Sequence, residues 1–234
     1  MSNCDSPLII ALDYPDARAA QAMAAQLDPQ TVRVKVGKQL FTAEGPAVVK
    51  ALVADGFDVF LDLKFHDIPN TVAGAVLAAV DLGVWMVNVH ASGGSRMMRA
   101  AVDALAGRAG APLLTAVTVL TSMNEEDLHE LGYSGSAIDR VSALAALAEA
   151  SGVDGVVCSA IEAARLREER AESFLRVTPG IRLAGDATGD QRRVLTPEMA
   201  LAQGATHLVI GRSVTGAADP QAVVTQILRS IKAV

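Results

Sequence analysis

Strands are expected to be mostly apolar, yet several short apolar runs of this chain carry ionisable residues at regular positions. In Leu61-Asp62-Leu63-Lys64-Phe65 the two-residue strand period puts Asp62 and Lys64 on one face and Leu61, Leu63 and Phe65 on the other. The same period sets Lys35 opposite three valines in Val32-Arg33-Val34-Lys35-Val36, and groups Asp13 with Ala11 in Ile10-Ala11-Leu12-Asp13. Asp67 follows just beyond the run that holds Asp62 and Lys64. Carboxylates and ammoniums gathered at one end of a sheet can stabilise charge developing on a reacting atom and hand it a proton. The plain alternative is a set of ion pairs that only neutralise one another. Burying several ions merely to pair them is costly, which favours chemistry for the set as a whole.

Eight aliphatic or β-branched runs are expected as strands: Leu8–Asp13, Val32–Gly37, Asp58–Phe65, Trp85–Ala91, Leu113–Leu120, Gly155–Ser159, Phe174–Pro179 and His207–Gly211. Between most of them lie Ala-rich stretches of helical period: Asp16–Leu27, Pro46–Asp55, Thr71–Leu82, Ser95–Ala106, Ala137–Ala150 and Ile161–Arg170. Thr196-Pro197 and Asp219-Pro220 each place a capping side chain before a proline suited to the first helical turn. Strand and helix alternating at this pitch imply a parallel sheet. Eight units in 234 residues favour a closed (β/α)8 TIM barrel forming a single domain, 1–234. An open doubly wound sheet would normally carry a Gly-rich phosphate turn after its first strand, where this chain has Leu12-Asp13-Tyr14-Pro15-Asp16. In a barrel, Asp13, Lys35, Asp62 and Lys64 fall near the C-terminal ends of strands one to three, where active sites form.

The formal net charge of −6 is interspersed rather than run together, which argues against a nucleic-acid surface and leaves any phosphate recognition local. Half the residues are hydrophobic (51%) but only 3% are aromatic, so the core is expected to be Ala, Val, Leu and Ile. Cys4 and Cys158 have neither metal-ligand spacing nor a disulfide framework. No signal-like segment opens the chain, and no apolar stretch approaches the roughly 20 residues that span a bilayer. These readings give no membrane association and a cytoplasmic location.

Barrels often bind phosphate at the loops after strands seven and eight. There the chain has Thr178-Pro179-Gly180-Ile181-Arg182 and Gly211-Arg212, with a guanidinium fork and a glycine that permits close backbone approach. Gly185–Asp190 reads as a flap, and Arg192 and Arg193 as surface residues. His66, His90, His129 and His207 show no ligand spacing, so no metal role is expected of them. Met97, Met98 and Met123 are expected to pack.

The run Asp62-Leu63-Lys64-Phe65-His66-Asp67-Ile68-Pro69-Asn70-Thr71 resembles the signature of the orotidine 5'-monophosphate decarboxylases. It is accompanied in order by Leu12-Asp13, Lys35-Val36-Gly37, Val89-His90-Ala91, Leu120-Thr121-Ser122-Met123, Thr178-Pro179-Gly180-Ile181-Arg182, Gly189-Asp190-Gln191-Arg192-Arg193 and Ile210-Gly211-Arg212, so the likeness runs from the first strand to the eighth. Gln39 departs from the bacterial pattern, where Glu is common, but lies outside the charged set. The resemblance implies a cofactor-free lyase acting on orotidine 5'-monophosphate. Lys64 would protonate C6, Asp62 would lie beside the departing carboxylate, and Asp13 and Lys35 would hold the ribose and complete the array. Thr121, with Ser122 as its neighbour, would meet the pyrimidine. Pro179, Gln191, Gly211 and Arg212 would contact substrate, with Arg182 assisting at the phosphate. Asp67, Ile68 and Thr71 would reach into a neighbouring subunit's site, implying a homodimer with shared sites. A Mg2+-dependent sister group acting on 3-keto-L-gulonate 6-phosphate shares the Asp-x-Lys-x-x-Asp core but lacks the Ile-Pro-Asn-Thr found here. A catalytically silent phosphate-binding barrel would be expected to have lost a charge, and Asp13, Lys35, Asp62, Lys64 and Asp67 are all present.

Overall fold

The computed structural model of the chain describes residues 4–183 and 195–232. Within them the expected strands close into one parallel barrel in sequence order. The elements run β1 (Leu8–Ala11), α1 (Ala17–Ala24), β2 (Arg33–Gly37), α2 (Lys38–Glu44), α3 (Pro46–Ala54), β3 (Val59–Phe65), α4 (Pro69–Val80), β4 (Met86–His90) and α5 (Gly94–Leu105). They continue with β5 (Leu113–Val117), α6 (Glu125–Glu130), α7 (Ala137–Ala150), β6 (Gly155–Val157), α8 (Ala160–Glu169), β7 (Leu175–Ile181), α9 (Pro197–Ala202), β8 (His207–Ile210), α10 (Arg212–Thr215) and α11 (Pro220–Lys232). Among the described residues no helix is long and apolar enough to cross a membrane.

Both Pro-linked caps form: Thr196 Oγ1 accepts from the Met199 N–H at 3.4 Å and Asp219 Oδ1 from the Ala222 N–H at 2.9 Å. The boundaries differ from expectation where loop chemistry takes over. β1 ends at Ala11, so Asp13 stands two residues past the strand, and β5 stops at Val117 rather than Leu120. β7 instead runs on to Ile181, with a register shift against β8 between Thr178 and Ile181. α2 was not expected from the sequence. Its N-cap is Gly37, which offers no side-chain cap.

Two cores divide the barrel. The larger fills the space between sheet and helices, from Leu8, Ile10 and Leu12 round to Val224 and Ile227, and includes Met97 and Met98. The smaller is the barrel interior, built from Ile9, Ala11, Phe60, Met86, Val117, Val157, Val177 and Val209. Below this layer Arg33 forms a floor: its guanidinium lies 4.2 Å over the Trp85 ring, 3.5 Å from the Asp58 carboxylate, and donates to the Cys4 and Ser6 carbonyls. The His207 ring sits 5.4 Å from that of Trp85.

Candidate active site

The parallel strands bring Lys35 of β2 and Asp62 and Lys64 of β3, with Asp13 just past β1, to one end of the barrel, and leave Arg33 of β2 at the other. Parallel pairing sets Ala11 beside Lys35, and Gly37 beside Asp62. The result is a line of alternating charge: Asp13 Oδ1 lies 3.0 Å from Lys35 Nζ, Lys35 Nζ 3.4 Å from Asp62 Oδ2, and Asp62 Oδ1 2.6 Å from Lys64 Nζ. Asp13 is largely exposed, whereas Lys35 and Asp62 are nearly sealed, at 10% and 13% side-chain exposure. Burial by itself would push the Asp62 carboxyl up. The Lys35 and Lys64 ammoniums, with hydrogen bonds from Lys64 and Asn88, outweigh it and hold the group below the ordinary carboxylate value. Asp62 is therefore an anion at neutral pH, clamped between two cations.

The backbone at Lys64 is held in an uncommon state. With φ 54, Lys64 is the one non-glycine among the described residues in the left-handed region, a conformation that costs about 1–3 kcal/mol unless neighbours impose it. It coincides with a register shift between β3 and β4 from Leu61 to Phe65. Gly37 shows a second constraint. A Cβ there would stand 3.2 Å from Lys35 Nζ and 3.4 Å from Asp13 Oδ1, so a side chain would press on that ion pair.

The line of charge forms one wall of a cavity of about 650 Å³. Of the residues expected at the site, Asp13, Lys35, Asp62, Lys64, Thr121, Pro179, Arg182, Gly211 and Arg212 line it; Ser122 does not. Arg182 and Arg212 also border an adjoining cavity with Ser213. Arg182 is buried, donating through Nη1 to the Ile181 carbonyl at 3.0 Å. A Cβ on Gly211 would touch only Ala11, at 3.9 Å, so nothing within the described chain requires a glycine there. Asp67, Ile68 and Thr71 lie outside the cavity, exposed at the start of α4. The Asp67 carboxylate accepts from the Ile68 N–H at 2.6 Å. Gln191, Arg192, Arg193 and the Gly185–Asp190 stretch lie outside the described residues.

The histidines stay off the line of charge. His66 is exposed, its ring 5.4 Å from that of His90. Burial, then His66, Lys38 and Lys64, push His90 down to about 4, so it is neutral near pH 7. No group of three His, Cys, Asp or Glu side chains with metal-ligand placement occurs among the described residues.

This arrangement can hold an anionic substrate at its arginine rim, hold hydroxyls at Asp13 and Lys35, and set a cation against a reacting atom. In comparison with known proteins, the sequence profile described as orotidine 5'-phosphate decarboxylase / HUMPS family matches residues 6–227. The chain belongs to this family. A relative from Alcanivorax borkumensis named orotidine 5'-phosphate decarboxylase is 61% identical over 97% of this chain and 98% of its own. One of the same name from Teredinibacter turnerae is 56% identical over 99% of this chain and 100% of its own. Among solved structures, orotidine 5'-phosphate decarboxylase from Lactobacillus acidophilus superposes with a TM-score of 0.86 at 40% identity, covering 97% of this chain and 99% of that one.

For a chain of the decarboxylase / HUMPS family, two contributors to this site escaped the sequence reading. Asn88, fully buried on β4, bonds both the Lys64 backbone and Asp62. Its signal was a polar residue at an inward position of Met86-Val87-Asn88-Val89-His90, the logic that exposed the charged residues but applied to an uncharged one. The spacing role of Gly37 carries no sequence signal beyond its place after Lys35-Val36.

Proposed function

We propose that the chain converts orotidine 5'-monophosphate to uridine 5'-monophosphate, the last step of de novo pyrimidine nucleotide synthesis, by direct loss of CO2 without a cofactor. The bond between C6 and the carboxylate breaks, the electron pair stays on C6, and Lys64 Nζ delivers a proton to it. The observation that carries this reading is the Lys64 ammonium, held 2.6 Å from a nearly sealed, anionic Asp62 on the wall of a cavity whose rim carries Arg182 and Arg212.

The ring offers no good sink for the electron pair, so its surroundings must stabilise it. A fixed cation in a partly dry site does so through space, with no reorganisation at the moment of reaction. Asp62 adds a second effect: an anion about 4 Å from the substrate carboxylate raises the ground state by about 4 kcal/mol at an effective dielectric near 20. That repulsion fades as CO2 leaves. It ranks second, because the total barrier reduction in the most demanding enzymes approaches about 23 kcal/mol. Stabilisation of the transition state by Lys64 and its partners must supply the larger share.

Asp13 and Lys35 hold the ribose hydroxyls, Thr121 meets the pyrimidine, and Pro179, Arg182, Gln191, Gly211 and Arg212 contact the rest of the nucleotide. Phosphate binding far from C6 supplies energy that can be used at the reacting carbon. The open space at Gly211 supports close approach of the ligand to the backbone there. The exposed Asp67, Ile68 and Thr71 support a homodimer in which each chain lends them to its partner's site; Ile68, at 66% exposure, is a large apolar residue left uncovered in one chain. Two buried free cysteines support a reducing cytoplasm, and the closed barrel supports one domain over 1–234.

The test is the loss of substrate absorbance when purified protein meets orotidine 5'-monophosphate in EDTA. Full activity is expected; strict dependence on Mg2+ would transfer the chain to the sugar-phosphate branch of the family.

A further inference from the structure

We infer that Asn88 is a positioning residue for the reaction, its carboxamide fixing the Lys64 backbone and the Asp62 carboxylate at once so that the Lys64 ammonium is aimed from both ends. The inference rests on the reading of Lys64 as proton donor. Asn88 is 0% exposed, on the inner face of β4 two residues above Met86, paired with Thr115 of β5. Its Oδ1 accepts from the Lys64 N–H at 2.7 Å, and its Nδ2 donates to Asp62 Oδ1 at 2.8 Å. The same Asp62 oxygen accepts from Lys64 Nζ at 2.6 Å. One amide therefore ties the start of the lysine residue to the anion at its tip.

The placement meets a definite need. Where the β3 and β4 ladder shifts register between Leu61 and Phe65, a side chain, not a strand neighbour, takes up the Lys64 N–H. A left-handed backbone at a residue with a Cβ persists only when its surroundings over-determine it, and this hydrogen bond is a direct hold on it. The amide orientation follows from its partners, since a backbone N–H can only donate and an ionised carboxylate can only accept. No other short side chain meets both demands. A leucine takes the acceptor from the Lys64 N–H and one donor from Asp62. A serine is too short to bridge them. An aspartate satisfies the N–H but sets a second carboxylate against Asp62.

That last case supplies a readout which loss of packing alone would not give. In Asn88→Asp two carboxyls face each other across a hydrogen-bond distance, so ionising both is opposed and the titration of the introduced carboxyl moves upward. The groups around it are Asp62 and Lys64 on β3, Lys35 on β2, Asp13 past β1, and His90 on β4 with His66 beyond it; His90 is neutral over the range tested. At low pH the protonated carboxyl donates to Asp62 as the amide did, whereas at high pH it repels it.

The experiment measures kcat and KM for orotidine 5'-monophosphate from pH 5.5 to 8.5 in wild type, Asn88→Ala, Asn88→Asp and Lys64→Ala, with thermal melts for each. Asn88→Ala should lose about 10²-fold in kcat with KM within about threefold of wild type, as expected when a reacting group is misplaced by about 1 Å. Relative to wild type, kcat of Asn88→Asp should climb about tenfold as pH falls across this range, whereas Asn88→Ala keeps a constant ratio. An inactive Lys64→Ala together with wild-type kcat in Asn88→Ala would overturn this inference alone. A fully active Lys64→Ala would overturn the proton-donor reading and this inference with it. If Asn88→Ala does not fold, the pH dependence of Asn88→Asp decides: a constant ratio to wild type overturns the inference.

Discussion

Arg33 and Lys35 share one strand and one face of it, two residues apart, and they end in opposite situations. Arg33 is at the floor, paired with Asp58, stacked on Trp85 and donating to two backbone carbonyls, with 7% side-chain exposure on one partner and 9% on the other. Lys35 is at the mouth, between Asp13 and Asp62, on the wall of an open cavity. The floor closes on itself. The mouth has two carboxylates and two ammoniums in a row, a strained lysine and room for a ligand. A charged residue inside a barrel therefore does not by itself indicate chemistry; its depth and the space it faces do.

Removing one group from each region should separate the two roles. Lys64→Ala should lower kcat by at least about 10⁴-fold, combining loss of a general acid with loss of a preorganised cation, while its melting temperature stays within a few degrees of wild type. A mutant that melts early but turns over normally would reverse that assignment. Arg33→Met leaves Asp58 buried without its guanidinium and should cost about 3–5 kcal/mol of unfolding free energy. Denaturant titration measures it, and kcat per folded molecule should be unchanged. If kcat falls instead while stability holds, the floor is part of the site.

A smaller effect sharpens the floor further. Burial, with Arg33 nearby, holds His207 down to about 4, against an ordinary value of 6.5. The folded state thus resists a proton that the unfolded chain accepts, so stability is complete above about pH 6.5 and drains away as pH falls toward 4. The loss attributable to His207 is at most about 3 kcal/mol. His207→Phe keeps a ring against Trp85 and should flatten that limb of the curve, apart from the share of His90. An unchanged acid limb would mean that His207 is protonated in the fold.

The comparison also explains what the sequence disclosed. Inward strand positions in a barrel are expected to be apolar, so Asp62, Lys64 and Lys35 stood out by period alone, and the repeated strand and helix pattern carried the closed barrel. Arg33 has the period of Lys35. Only the direction of the strand, with its C-terminal end at the mouth, tells them apart. The positive φ of Lys64 left no trace, because the residue that usually signals such a backbone is glycine. Asn88 was quiet because an uncharged polar residue in a strand is common, and its value lies in two partners on another strand. α2 lacked a side-chain cap to announce it, and β5 ended early where loop residues turned into the cavity.

Floor and mouth differ in one more respect: the floor side chains pair with one another, whereas Asp67, Ile68 and Thr71 stand exposed without lining the cavity. The proposed function makes the mouth a reaction site that a second copy of the chain finishes. It is tested most directly by mixing two inactive proteins, Lys64→Ala and Asp67→Ala, under conditions of subunit exchange. Equal mixing gives about half heterodimers, each with one site lacking both groups and one site having both, in keeping with two-fold symmetry. The account predicts recovery to about a quarter of wild-type activity if the sites act independently. No recovery, with exchange confirmed by mass spectrometry, would contradict it and return Asp67 to its own chain.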